Sequence, residues 1–322
     1  MSELSVTALP KWLHANQLEI GTLKANQALS HALLLMGKDG GGQHVLANQI
    51  AIDILCDQKH LNKACGECHS CRLNESSTHP DFHLLDGREG TIKVDQIRQI
   101  ITKVATSPHV SHAKVVVLAQ AASMNLNAAN AVLKVLEEPP KGTFFILTAD
   151  ASSQLIATVR SRCLLVNLPQ PSVQQVVEWF EGVELEDDVA SIKWVTQQPY
   201  TLYQMAKSGR SLLYKDIPEN VRQYLDGNMS ADLVLSKLDS KNSADYVYAF
   251  SALFHQCICY STGASVPSQD DIKSVLDALL TRLGIHKVMD CFTRLQSLND
   301  KTQKTNLNLQ IQLKSELIYW LS

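Results

Sequence analysis

Between residues 31 and 168 short apolar runs alternate with longer stretches of helical periodicity, and no such run recurs afterwards. HALLLM (31–36), DFHLL (81–85), KVVVLA (114–119), TFFILT (143–148) and CLLVNL (163–168) are the predicted strands. Runs that stay apolar over consecutive residues, instead of alternating with polar ones, suit strands covered on both faces. Between them, 43–55 and 94–105 have helical spacing, as at Val94, Ile97, Ile101 and Val104. A third helix over 127–138 is stopped by Pro139 and Pro140, which cannot continue the backbone ladder. Strands alternating with helices imply parallel pairing through right-handed crossovers. The expected class is α/β, with the layering of a nucleotide-binding domain.

After Pro169 and Pro171 the strand-like runs disappear. SVQQVVEWFEGV, DDVASIKWVTQQ and TLYQMAKSG predict a small three-helix unit, and the rest predicts an all-α bundle. The expected partition of the 322 residues is therefore 1–169, 170–209 and 210–322. Apolar runs such as VVVLAQAA fall far short of the roughly 20 residues of a membrane span. The N-terminus lacks a basic segment followed by an apolar one, so no secretory signal is expected and the cytoplasm is the expected location. Twenty-nine basic against 32 acidic residues, a net charge of −3, exclude the broad positive field of an autonomous nucleic-acid binder.

Four of the eight cysteines lie within sixteen residues, as C-x8-C-x2-C-x2-C at Cys56, Cys65, Cys68 and Cys71. Four soft ligands at that spacing suit one tetrahedral Zn²⁺. With every position filled by protein no site is left for water, so the expected role is a structural clip. Unliganded thiols, a redox pair and an iron–sulfur cluster are the alternatives. His60, His69 and His79 are nearby as substitute ligands. Cys163, Cys257, Cys259 and Cys291 are scattered among apolar neighbours, as buried thiols are.

The first predicted strand runs into Gly37-Lys38-Asp39-Gly40-Gly41-Gly42-Gln43-His44. Gly37 and Gly42 fit the phosphate-loop pattern G-x-x-x-x-G-K-[ST]. Gln43, however, stands where a lysine would reach the β/γ-phosphates, and His44 where a hydroxyl would hold Mg²⁺. Lys38 is at the wrong end of the loop to substitute. At the end of the third strand Ala119 and Gln120 replace the two acids that hold metal and activate water. Intrinsic ATP hydrolysis is not expected; a stand-alone ATPase with a divergent loop is the alternative, and a zinc-dependent DNA-binding module a third reading.

Arg160 and Arg162 precede the fifth strand in VRSRCLLVNL, where a solvated or ion-paired surface arginine is the plain reading. Taken in order, the four-cysteine insert, THPDFHLL, VDQIRQI, NAANAVLKVLEEPP, TFFILT and VRSRC resemble the AAA+ clamp-loader family of bacterial replication over residues 25 to 170. The degenerate loop resembles that family's delta-prime type more than its ATP-hydrolysing gamma/tau type. The resemblance implies an AAA+ type parallel-sheet domain with a zinc module, a small helical lid and an all-α collar. It assigns zinc to the four cysteines and a trans-acting arginine finger to Arg162, with Arg160 second. A planar, permanently charged guanidinium suits that task. It also implies gamma/tau and delta partners, and a sliding clamp and primed DNA reached through the complex. Lys134, Glu137 and Glu138 fall in the family's interface segment and carry no assigned chemistry. QQPYTLYQMAKSG lacks the arginine with which an active subunit senses nucleotide.

Overall fold

The computed structural model describes residues 9–58, 63–88, 90–150, 155–181, 183, 189–209, 211–236, 238, 240–264, 270–304 and 308–321. His60 lies outside them. The chain divides into two compact units, Met1–Val183 with Gln198–Tyr200, and Glu184–Gln197 with Thr201–Ser322.

The first unit is built on the apolar runs. Strands β1 (Ala32–Gly37), β2 (Phe82–Asp86), β3 (Lys114–Ala119), β4 (Thr143–Asp150) and β5 (Leu164–Asn167) form one sheet in the order β2-β3-β4-β1-β5. Every pairing is parallel, with Leu33 opposite Ile146, Leu34 opposite Leu165 and Leu84 opposite Val117. Between and around the strands run helices α1 (His14–Ala25), α2 (Gln43–Leu55), α3 (His69–Glu75), α4 (Val94–Val104), α5 (Leu126–Glu137), α6 (Ala157–Arg160) and α7 (Val173–Glu181).

Strand side chains alternate between faces, and each face has its own core. Leu34, Val116, Leu118, Phe145 and Leu147 pack with Ile97, Ile100, Val132 and Leu136 of α4 and α5. Leu33, Leu35, Val115, Val117 and Ile146 pack on the other side with Leu46, Ile50 and Ile54 of α2, and with Trp12 and Leu13. Two buried faces explain why β1 and β3 read as unbroken apolar runs. β2 lies at the sheet edge and leaves Leu84 exposed.

Polar anchors fix the helix ends. Lys114 is almost fully buried, and its Nζ donates to the Lys103 carbonyl at 2.6 Å and to Thr106 Oγ1 at 2.8 Å. It thereby satisfies a carbonyl left over at the end of α4 and places a cation at the negative end of the helix dipole.

In the second unit the middle segment of the expected three-helix group forms a 3₁₀ turn, Val189–Ile192, followed by the fully buried Trp194. Its other helices are α8 (Pro199–Lys207, whose first two residues belong to the first unit), α9 (Ser211–Leu225), α10 (Ala231–Ser236), α11 (Ser243–Ser261), α12 (Asp270–Lys304) and α13 (Leu309–Leu321). α12 breaks at Gly284, whose φ of 70° and ψ of 158° only glycine adopts without strain. Trp320 of α13 meets Phe254 edge-on at 4.5 Å and Phe250 at 5.7 Å, within the favourable range for aromatic pairs. No described helix is long and apolar enough to cross a membrane.

Candidate functional site

The glycine loop between β1 and α2 opens a helix, as a phosphate-binding loop does, but two of its amides and several of its carbonyls are committed within the chain. A loop of this type binds an anion by leaving backbone N–H groups free and pointed at the ligand. Here the Gly41 N–H donates to the Lys38 carbonyl at 3.0 Å, and the Asp39 N–H donates to Asp150 Oδ2 at 2.7 Å. Asp150 ends β4, so a carboxylate of the chain itself stands against the loop.

The loop carbonyls are taken as well. Gln43 is buried and turns back, with its Nε2 donating to the Gly37 carbonyl at 2.9 Å. Trp12 Nε1 donates to the Gly41 carbonyl at 3.0 Å, and the Tyr200 N–H to the Gly40 carbonyl at 3.0 Å. Gly42 has φ of +107°, and a Cβ there would lie 2.9 Å from both Leu13 Cδ1 and Tyr200 Cε2. Distant segments therefore close directly onto the loop.

His44 stands edge-on to Tyr200 at 5.1 Å, and Tyr200 in turn packs against Trp179. Burial, with the Arg88 guanidinium adding to it and the Asp86 carboxylate opposing, lowers the His44 imidazole to about 4. The ring is neutral at pH 7 and half-buried against Tyr200. On β3, Ala119 is buried, and Gln120 follows in the left-handed region with its N–H donating to Thr148 Oγ1.

The four predicted ligand cysteines come together. Their sulfur atoms all lie within 4.8 Å of one another, with Cys56 and Cys68 Sγ 4.0 Å apart and Cys65 and Cys71 Sγ 3.9 Å apart. A tetrahedron of thiolates at a Zn–S distance of about 2.3 Å has edges of about 3.8 Å, so the set fits one such ion. Backbone N–H groups of Cys65, Cys68 and Cys71 point at the sulfurs of Cys56, Cys65 and Cys68, each at 3.4 Å. Donors of this kind orient metal-bound thiolates.

N–H groups from Glu67 and Cys68 lower the Cys65 thiol to about 7, whereas burial pushes Cys56 and Cys71 up. A divalent cation would supply the charge that lets all four ionise. Asp53 ties the module to the domain: it accepts from the Ala64 N–H at 2.7 Å, from Gln49 Nε2 at 2.9 Å and from Gln17 Nε2 at 3.2 Å. Of the substitute ligands, His69 is exposed, and His79 Nδ1 accepts the Asp81 N–H at 3.1 Å. Burial raises Cys163 to about 11 and Cys257 and Cys291 to about 12, as inert core thiols require.

Arg162 follows α6, and its guanidinium is held from two sides. Nε and Nη2 donate to Glu137 Oε1, the former at 2.7 Å, and Nη1 donates to the Thr158 carbonyl at 2.8 Å. About 29% of the side chain remains exposed. Arg160 is exposed, and among the described residues its side chain makes no hydrogen bond or ion pair. Sequence reasoning left Glu137 without a role, because the 25 positions separating it from Arg162 hide the pairing. Lys134 and Glu138 lie on the exposed surface.

A family model described as DNA polymerase III, delta subunit, matches residues 16–172, which span all five strands. The DNA polymerase III subunit delta' of Pseudomonas aeruginosa is 30% identical over 308 residues, covering 91% of this chain and 92% of that protein. The subunit of the same name from Haemophilus influenzae is 39% identical over 178 residues, 55% of this chain and 54% of its own. That of Escherichia coli is 40% identical over 151 residues, 46% and 45% of the two chains. Likeness at this level along nearly the whole of two chains exceeds what a shared fold accounts for, and this chain belongs to the DNA polymerase III delta' family.

Proposed function

We propose that this chain is the non-hydrolysing subunit of a replicative clamp loader: it presents Arg162 to the ATP site of a neighbouring gamma/tau subunit and, with delta, helps to load the sliding clamp onto primed DNA. The observation that carries the reading is the contrast between two sites of one domain. In the loop that would hold ATP, Gln43 and His44 stand where the lysine and hydroxyl would be, the Asp39 and Gly41 amides are spent on Asp150 and Lys38, and three carbonyls on Gln43, Trp12 and Tyr200. Arg162, meanwhile, follows a short helix at the surface, with about 29% of its side chain exposed. A permanently charged fork of this kind stabilises the charge that develops on the γ-phosphate in a neighbour's transition state.

Zn²⁺ at Cys56, Cys65, Cys68 and Cys71 belongs to the proposal as a structural ion. So do the partition into 1–169, a lid over 170–209 and a collar over 210–322, and a cytoplasmic location. The test is steady-state ATP turnover by the reconstituted loader. Arg162→Ala is expected to lower clamp- and DNA-stimulated hydrolysis while leaving assembly intact, and the isolated wild-type chain is expected to be inactive. Normal turnover by the assembled variant sinks the finger assignment. Tight nucleotide binding by the isolated chain returns the reading to a stand-alone ATPase.

A further inference from the structure

We infer that Glu137 is the positioning residue for Arg162, an inference that rests on the trans-acting role proposed above. Glu137 is the final residue of α5, where a carboxylate faces the negative end of the helix dipole and is disfavoured unless a cation answers it. The cation that answers it is Arg162, from the turn that follows α6. Pro139 and Pro140 follow directly and keep α5 from extending beyond this position. Its neighbour Glu138 has no such partner among the described residues.

The donor count explains how the arginine is both held and available. A guanidinium carries five N–H donors. Glu137 takes those of Nε and one of Nη2, and the Thr158 carbonyl takes one of Nη1. One N–H on each terminal nitrogen is left, and these two can meet a pair of phosphate oxygens without the anchoring bonds breaking. Glu137 therefore removes the rotamer freedom that a long side chain otherwise loses at the moment of catalysis. It touches no nucleotide and acts through Arg162.

The test compares Glu137→Ala, Glu137→Gln and Arg162→Ala in the reconstituted loader and in the isolated chain. Glu137→Ala is expected to lower the Arg162-dependent part of kcat by about tenfold or more, with KM for ATP unchanged. Glu137→Gln keeps an oxygen that accepts from Nε and Nη2, so it is expected to restore most of that loss. In the isolated chain, the Nε–H resonance of Arg162 should be slow to exchange in wild type and Glu137→Gln and fast in Glu137→Ala. Wild-type kcat in Glu137→Ala, or a rise showing that the carboxylate competes with phosphate, overturns the inference, as does an unchanged Nε–H exchange rate. If Arg162→Ala itself leaves turnover intact, the trans-acting reading falls, while the exchange data still report whether Glu137 orders the side chain.

Discussion

His44 stands where an active phosphate loop places a magnesium ligand, and its burial beside Tyr200 gives a stability signature that a ligand-facing histidine lacks. Folding lowers the imidazole to about 4 from an ordinary 6.5, so between those values the unfolded chain binds a proton that the folded chain refuses. Stability from this group is fully present above pH 6.5 and is lost as the pH falls through 4. By pH 5 an unfolded histidine is almost wholly protonated and the buried one only about a tenth so, a difference worth about 2 kcal/mol, rising to about 3 kcal/mol below pH 4. Burial also lowers His79 and His83 and adds to the same slope. A comparison of variants at one position cancels those contributions. His44→Phe keeps a ring against Tyr200 and abolishes titration. Urea unfolding at pH 7 and pH 5 should show wild type losing about 2 kcal/mol more than the variant over that interval. Equal losses would refute the buried, neutral ring and return His44 to solvent or to a ligand.

Two further outcomes follow from the geometry. Metal analysis of the purified chain should find one zinc per molecule, and Cys68→Ser should abolish it. Serine can still cap α3 as the Cys68 sulfur does through the Cys71 N–H, so loss of hydrogen-exchange protection over 64–75 with the sheet amides unchanged would report the ion and not the cap. Gly42→Ala should cost about 2–4 kcal/mol in denaturant unfolding, from left-handed strain plus overpacking on Leu13 and Tyr200. Gly66→Ala, with φ of +80° and open space around it, should pay the strain alone, and equal costs at the two glycines would show that the loop is not packed as described.

Strand and helix identities were legible because burial on both faces writes itself into consecutive apolar residues, and one-sided burial into a helical period. β3 spans the predicted 114–119, and α2 the predicted 43–55. The cysteine spacing was legible for a related reason: ligands of one small ion must be close, and within sixteen residues closeness in sequence enforces closeness in space. The missing lysine and acids at Gln43, His44, Ala119 and Gln120 were equally plain, because a chemical group absent from its position needs no coordinates to be noticed. The middle of the expected three-helix group was not legible. Its described part buries Trp194 after a single 3₁₀ turn, a tertiary preference that overrides helical spacing.

What only the tertiary structure decided is the set of contacts between residues far apart in the chain. Composition and periodicity specify which face of an element is buried but not what buries it. The order β2-β3-β4-β1-β5 brings Asp150 to the Asp39 amide. Trp12 and Tyr200, near residue 10 and residue 200, meet at the same glycine loop, and Glu137 reaches Arg162 across 25 positions. Each depends on the closing of loops whose geometry no local pattern encodes. The sequence alone therefore showed which groups of an active phosphate loop are missing at Gln43, His44, Ala119 and Gln120, and the fold alone revealed which distant residues stand against that loop.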